Sequence, residues 1–392
     1  MADTKRQYSL GIWALTLGYF ISYIPYSALS KAITSGLLTK GHLIAGPAVL
    51  PSAVICTSIS VFLFITLNRW WKYGRKFDLW GVMVPFPRRQ TMISGLGFAT
   101  IIITTTLAYS FAGVSIILAL VLMRAGVLIM SPLIDRVFQR RVRWFSWTGF
   151  ALSLIALAVS FSSTREYQLS ISALLNLAAY LAGHALRIPS MTRIAKTGER
   201  GVAYAYFVEE QIVAMPALVL VPAIIALLGH GAIASQVRVG FANLFAWPFA
   251  PFGWAVGFFY AALGIFLSFV YLDRRENTFC MPLFACSSLL SGIVASYILW
   301  WAHGPVPSKV QLSSAFMIMS ALLVMSPLHH LPLYMKQLKD AVAERRLVLV
   351  DFAKATAPNL GIVSQPSQSS LITVNFRAVR QVFDREPRSG GS

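Results

Sequence analysis

The chain has 392 residues, of which 57% are hydrophobic and only 12% are charged, and its mean hydropathy is +0.67. A soluble domain carries about a quarter charged residues, so this composition excludes an ordinary soluble protein and indicates an integral membrane protein. The three cysteines lie in apolar runs without metal-ligand spacing, which argues against a disulfide framework or a metal site.

Ten stretches of the chain are long and apolar enough to cross a bilayer core, which needs roughly 20 residues of helix. The first has a charged start, but its apolar run continues to about Tyr26 and is too long for a cleaved signal sequence. The sequence therefore predicts an all-α integral membrane protein with ten transmembrane helices. In chain order, the predicted spans are approximately 8–29, 43–67, 91–109, 112–134, 144–162, 168–188, 202–229, 254–272, 279–301 and 312–335.

The net charge of +19 raises the question of a nucleic-acid partner, which the distribution of basic residues answers. With the N-terminus inside, all lysines and arginines except Arg124 and five others fall in inner segments. Those five lie in outer segments and are Lys31, Lys40, Arg165, Arg238 and Lys309. This asymmetry predicts that both termini are cytoplasmic and that the charge orients the protein in the membrane, with no nucleic-acid binding. We expect a multi-pass protein of the plasma membrane, or of the inner membrane in a bacterium.

Ten spans divide into two sets of five, and an odd number per set inserts the second set with inverted orientation. The ends of spans 1 and 6, "YIPYSALSKAIT" and "ALRIPSMTRIAKT", both contain proline, small hydroxylated residues and a base. We predict five-helix repeats at residues 1–166 and 167–340. The remaining residues 341–392 are polar and basic and predict a largely disordered cytoplasmic tail.

Two passages give the chain a family resemblance. One is the pattern P-L-x(6)-R-R-V-x-W-x(4)-G from Pro132 to Gly149, and the other is "PSKVQLSSAFMIM", which enters the last helix. Together with the two five-span halves, they resemble the drug/metabolite transporter superfamily, in particular its EamA-like branch, over residues 8 to about 336. The resemblance implies an inverted repeat, a central cavity and secondary transport by alternating access. The chain departs from the family in lacking an acidic residue before the last helix of each half, which leaves the substrate subclass open.

Four of the charged residues inside or at the ends of predicted spans form one candidate group. Arg124 is about twelve residues into span 4, and Asp135 follows eleven residues later on the same helical face. Glu209 and Glu210 lie in span 7 at roughly the depth of Arg124. Charges at this depth cost about 2.5–3.5 kcal/mol on insertion scales and face a bundle interior or a watery cavity. We expect Arg124 to meet one of the glutamates, either as a substrate site or as a static ion pair. Glu209, Glu210 and Asp135 are the candidates for proton coupling or for the counter-ion.

Polar side chains also share faces on spans 1 and 6. Tyr19, Tyr23 and Tyr26 repeat at spacings of four and three, so they form one face that suits a cavity for ring-bearing or amphiphilic molecules. Helix packing with an interfacial belt is the alternative. His184 and Arg187 also share a face. His184 is either a packed polar residue or a substrate contact, and Arg187 is interpreted as marking the cytoplasmic end of the helix.

The leading functional hypothesis is a secondary transporter for a small metabolite or a drug-like molecule, with an anionic molecule favoured by Arg124. A flippase for a lipid or lipid-linked headgroup is the alternative, and a multi-span membrane enzyme using His329, His330 and Asp135 is a remote third. The sequence has no Gly-rich phosphate loop, no Ser/His/Asp set and no metal cluster, so we predict no enzyme, no cofactor and no direct ATP drive. The expected partners are the lipid bilayer, a small-molecule or amphiphilic substrate and a coupling proton, while the oligomeric state is left open.

Overall fold

The computed structural model describes residues 2–38, 44–79, 82–108, 116–162, 171–197, 199–246 and 249–302, together with five single positions between 313 and 324. Backbone contacts divide the chain into a unit of Met1–Pro327 and a unit of Leu328–Ser392, and all described residues belong to the first. The predicted tail, most of the tenth span, and His329 and His330 lie outside the described residues.

The described chain is built almost entirely from helices. They are α1 (Ala2–Thr34), α2 (Gly46–Leu67), α3 (Arg89–Ala108), α4 (Ile116–Val137), α5 (Trp144–Ser162), α6 (Ile171–Ile194), α7 (Arg200–Leu228), α8 (Ala232–Ala242), α9 (Phe249–Leu272) and α10 (Asn277–Trp301). Within the described residues, seven helices are long and apolar enough to cross a membrane. The protein is therefore an all-α, multi-pass integral membrane protein. The first nine predicted spans overlap α1 to α7, α9 and α10. The seven helices that could cross a membrane are α1, α2, α3, α6, α7, α9 and α10.

Two connections between the long helices carry structure that the sequence did not predict. After α2, a single 3₁₀ turn at Trp70–Tyr73 leads into β1 (Lys76–Leu79) and β2 (Val82–Pro85), which pair as an antiparallel hairpin. This hairpin is the one departure from helix among the described elements. Between α7 and α9, the connection contains the short helix α8.

Small residues let the long helices pack closely. α3 lies against α6 and α7, and α9 lies against α1 and α2, while α10 contacts α1 and α4. A Cβ added to Gly97 of α3 would lie 2.6 Å from the carbonyl oxygen of Gly183 in α6, and a Cβ on Gly183 would lie 2.7 Å from the carbonyl oxygen of Gly97. Close backbone approach of this kind is how membrane helices associate without a hydrophobic driving force.

Candidate functional site

Arg124 lies at the centre of the bundle, with 2% of its surface exposed. Its guanidinium donates hydrogen bonds to hydroxyl groups on three other helices: Ser288 of α10 at 2.9 Å, Tyr23 of α1 at 3.1 Å, and Tyr180 of α6. The guanidinium carbon also lies 4.1 Å from the centre of the Phe284 ring. A fixed positive charge is therefore surrounded by neutral hydroxyls and by the electron-rich faces of aromatic rings.

Three further polar side chains around this arginine have buried atoms without partners. The hydroxyls of Tyr19 and Tyr271 and both ring nitrogens of His184 have no hydrogen-bond partner among the described residues. The Tyr19 and Tyr271 rings lie 5.4 and 5.3 Å from Phe284, and the His184 ring lies 4.6 Å from Tyr180. A buried polar group left unpaired costs about 1–3 kcal/mol, so this concentration of them needs an explanation.

We call this set of side chains the central cluster. Its members are each at most 2% exposed and come from α1, α4, α6, α9 and α10. They are Tyr19, Tyr23, Arg124, Tyr180, His184, Tyr271, Phe284 and Ser288. Hydroxyl, imidazole and guanidinium groups that converge in a mostly aromatic surrounding are the usual lining of a small-molecule site.

The predicted tyrosine face of α1 points into the bundle. Tyr19 and Tyr23 belong to the central cluster, and Tyr26 lies one turn further along, with its ring 5.6 Å from Tyr23 and 4.8 Å from Tyr260. All three tyrosines are buried, which excludes an interfacial belt for this face. His184 also joins Arg124, so four of the residues singled out from the sequence lie in one cluster.

The glutamates of α7 bind other arginines, which corrects the expected partner of Arg124. Glu210 forms a bidentate ion pair with Arg187 of α6, at 2.8 and 2.9 Å, and accepts a hydrogen bond from Ser94 of α3 at 2.6 Å. Arg187 donates further to Ser268 of α9 at 2.7 Å. The interpretation of Arg187 as a helix end is also wrong, because α6 continues to Ile194 and Arg187 is fully buried.

Glu209 points in another direction, as expected for a neighbour on a helix. One of its carboxylate oxygens accepts hydrogen bonds from the Thr91 hydroxyl at 3.0 Å and from the backbone N–H of Arg88 at 3.2 Å, and the Arg88 guanidinium lies 3.7 Å from the other oxygen. Glu209 therefore holds the start of α3. Both glutamates tie α7 to neighbouring helices and neither contacts Arg124.

Asp135 binds the start of α10. One carboxylate oxygen accepts hydrogen bonds from the backbone N–H and the side-chain amide of Asn277, at 3.0 and 2.8 Å. The other accepts them from the backbone N–H and the hydroxyl of Thr278, both at 2.7 Å. A carboxylate at a helix N-terminus satisfies free N–H groups and is favoured by the helix dipole. The Arg140 guanidinium lies 3.8 Å from the first of these oxygens. Asp135 is therefore a structural link between α4 and α10, and not the expected counter-ion of the substrate site.

A second carboxylate strengthens the same link. Glu276, immediately before α10, accepts hydrogen bonds from Arg143 at 2.8 Å and from Ser146 at 2.7 Å. Arg143 directly precedes α5, and Ser146 lies in its first turn. We call Asp135, Arg143, Ser146, Glu276, Asn277 and Thr278 the α4–α10 latch. Burial raises the pKa of Glu276, but the hydrogen bonds from Arg143 and Ser146 outweigh it, so the pKa of Glu276 lies below its ordinary value.

The lowered pKa of Glu276 predicts a pH dependence of stability. Because the folded state favours the ionised carboxylate, this contribution is fully present above the ordinary pKa of 4.5 and is lost as the pH falls through the lower folded value. We expect Glu276→Gln to lower the unfolding temperature at neutral pH, with a difference from the wild type that shrinks below about pH 4.5. Thermal unfolding from about pH 7 to about pH 3.5 measures it. A difference that stays constant over this range would contradict the ionic role.

Several members of the central cluster could not be found from the sequence. Tyr271, Phe284 and Ser288 lie on α9 and α10, more than a hundred residues from Arg124, and meet it only through helix packing. Tyr180 carried a weak signal, since it precedes His184 by four residues and shares its helical face.

The comparisons with protein-family models and with curated proteins gave no match. A solved structure described as "Crystal structure of protein" is similar to this chain over 80% of this chain and 98% of its own length, with 15% sequence identity and a TM-score of 0.46. Its description names no activity. The class that fold and composition define is a multi-pass helical membrane protein, and the function has to be argued from the central cluster.

Proposed function

We propose that the protein is a secondary transporter with ten spans in two inverted five-helix halves, of the EamA-like drug/metabolite transporter type. In this scheme α1, α2 and α3 correspond to α6, α7 and α9, and α8 is an insertion. The packing supports the correspondence: α3 lies against α6 and α7, while its counterpart α9 lies against α1 and α2. An exchange of halves thus maps these contacts onto one another, as inverted repeats require.

The substrate is a small anionic molecule that binds at the central cluster. The observation that carries this proposal is the group of unpaired polar atoms on Tyr19, His184 and Tyr271 that surrounds the buried guanidinium of Arg124. Hydrogen bonds between guanidinium and carboxylate or phosphate are about twice as strong as neutral ones, so a substrate anion replaces a tyrosine hydroxyl at Arg124 with a gain in energy. The unpaired groups supply further donors for the same anion.

The enclosure of the cluster favours a water-soluble anion over a lipid headgroup. Five helices contribute side chains to it, and each of these side chains is at most 2% exposed. Access requires helices to part, and the α4–α10 latch lies on the side that the charge distribution predicts to be cytoplasmic. Release of this latch is the proposed inward-opening step. We place no proton transfer on Glu209 or Glu210, because Arg88 and Arg187 hold their carboxylates.

A thermal-shift screen of the purified full chain tests the proposal. The panel contains small carboxylates, phosphate esters and sulfonates, with matched amides, alcohols and amines as controls. We expect the compounds that raise the unfolding temperature of the wild type to be anions. They should leave the unfolding temperature of Arg124→Met unchanged, and they should enter proteoliposomes that contain the wild-type protein. Stabilisation by the neutral analogues alone would contradict an anion site. Stabilisation by lipids alone would favour the flippase.

Tyrosine-to-phenylalanine variants separate binding groups from structural ones. The hydroxyls of Tyr19 and Tyr271 are unpaired, so Tyr19→Phe and Tyr271→Phe are expected to leave stability unchanged or slightly raised. Both variants are expected to lower the affinity for the anion several-fold. Tyr206→Phe is the matched control, because the Tyr206 hydroxyl donates to Ser94 at 2.6 Å, and its loss costs about 1 kcal/mol of stability with no direct effect on binding. Unfolding temperatures and titration with an anion from the screen measure both effects. The reverse pattern would remove Tyr19 and Tyr271 from the site.

A further inference from the structure

A cavity of about 660 Å³ lies outside the central cluster. It is bounded by α1, α7, α9, the end of α2 and the 3₁₀ turn after it, and its size falls within the range of about 300–1,000 Å³ that is usual for small-molecule sites. The lining that matters here consists of Phe64, Trp70, Tyr204, Phe266, Phe269 and Asp273. No role in the proposed transport step accounts for it.

This cavity and the central cluster lie at different levels along helix α1. Gly11 and Leu15 of α1 line the cavity, whereas Tyr19 and Tyr23 belong to the central cluster. Phe266, on the cavity wall, packs so closely against α1 that a Cβ on Gly18 would lie 2.6 Å from its ring. None of the described residues that line the cavity belongs to the central cluster, so the two sites are built from different side chains.

The cavity wall is a cluster of aromatic rings. Trp70 stacks on Tyr204 at 4.5 Å between centres, and it meets Phe64 and Phe269 edge-on at 5.0 and 5.5 Å. These mutual contacts fix the rings in place before any ligand arrives. Aromatic faces carry partial negative charge, and an indole is the strongest of the three ring types in attracting an organic cation.

Asp273 adds a full negative charge to this lining. One of its oxygens accepts the backbone N–H of Arg275 at 3.0 Å and lies 3.9 Å from the Arg275 guanidinium. The second oxygen has no partner among the described residues. The Arg275 guanidinium is itself placed over the Phe279 ring, at 5.2 Å. Among the described lining residues, Asp273 is the only charged one, so the charged group that faces the cavity is a carboxylate. Arg275, its neighbour, is not part of the described lining.

We propose that this cavity is a second binding site, for a lipophilic organic cation: an ammonium group carried on an apolar or aromatic body. The ammonium lies against Trp70 and Tyr204 with Asp273 as its counter-ion, and the apolar body occupies the space beside Phe266 and Phe269. An anionic amphiphile of the same shape is disfavoured, because its headgroup would lie next to Asp273, the only charged side chain among the described lining residues. The site goes beyond the proposed transport function, whose central cluster selects the opposite charge.

Calorimetric titration of the full chain in lipid nanodiscs tests the charge selectivity with three probes of matched shape. They are 4-phenylbutyltrimethylammonium, its uncharged isostere in which tert-butyl replaces trimethylammonium, and 4-phenylbutanesulfonate. We expect the cation to bind at least tenfold more tightly than the isostere, and the sulfonate to bind most weakly. Equal affinity for the cation and the isostere would overturn the proposal, since the cavity would then be an unselective apolar pocket.

Three variants locate the binding. Asp273→Asn is expected to lower the affinity for the cation at least tenfold and to leave the affinity for the uncharged isostere unchanged. Gly11→Trp places an indole in the cavity, because a Cβ at Gly11 meets no atom within 4 Å, and should abolish binding of the cation. Gly201→Trp is the matched control, since its Cβ is equally unobstructed and Gly201 does not line the cavity.

The outcomes are separable from those of the transport proposal. Arg124→Met should leave binding of the cation unchanged, so failure at the central cluster does not affect this test. If Asp273→Asn does not fold, the comparison of Gly11→Trp with Gly201→Trp decides the location. Equal binding by these two glycine variants would show that the cation binds elsewhere and would overturn the proposal.

Discussion

Arg124→Met is expected to abolish transport and to lower the affinity for the anionic ligand by roughly 10- to 100-fold. This loss corresponds to one charged hydrogen bond, worth about 1.5–3 kcal/mol. The methionine fills much of the volume of the arginine stem, so the aromatic packing around Phe284 is retained. Ser288, Tyr23 and Tyr180 each lose a donor, and a modest fall in unfolding temperature follows. Uptake into proteoliposomes and the thermal shift produced by the anion measure the functional loss.

Arg124→Lys is the matched control, because it keeps the charge but lacks the planar fork that binds two oxygens of one anion. We expect its ligand affinity to fall between those of the wild type and the methionine variant. Size-exclusion chromatography and thermal unfolding establish whether each variant is folded. Full transport by folded Arg124→Met would remove the arginine from the mechanism. Loss of folded protein in both variants would show that Arg124 is required for folding.

The sequence identified the central residue of the candidate site because membrane insertion makes charge conspicuous. Arg124 was the one basic residue that lay inside a span and not in a loop. The spacing of Tyr19, Tyr23 and Tyr26 alone defined a helical face. The positions of the long helices along the chain followed from apolar length, since a span must cover the bilayer core. These features are properties of single helices, which is why they could be predicted from one sequence.

The pairing between helices could not be predicted in the same way. Depth along the membrane gives one coordinate of a side chain and leaves its direction around the bundle unknown. Arg124 and Arg187 are both buried in the bundle interior, and Glu210 pairs with the one that the sequence had assigned to a helix end. The predicted end of span 6 was several residues too early, which hid Arg187 as an interior residue. Tertiary packing alone decides which arginine meets which glutamate.

The largest effect on stability is expected at the Arg187–Glu210 pair. Both side chains are 0% exposed, and the pair joins α6 to α7, with Ser94 of α3 and Ser268 of α9 completing the network. Arg187→Met leaves the Glu210 carboxylate buried without its counter-charge, which costs about 3–5 kcal/mol. Glu210→Met leaves the guanidinium uncompensated, with a loss of similar size. Thermal unfolding of the purified variants measures both losses.

The double variant Arg187→Met/Glu210→Met is expected to recover most of this loss, because replacing both members of a buried ion pair by apolar side chains removes the desolvation cost together with the attraction. Arg143→Met is the surface control: 44% of the Arg143 side chain is exposed, and a pair of this kind contributes about 1 kcal/mol or less. Recovery of stability with full transport would define the pair as a support for the central cluster. Recovery of stability without transport would mean that α6 and α7 separate at this pair during the transport cycle. The apolar contact of the double variant would then hold the two helices together and block that separation.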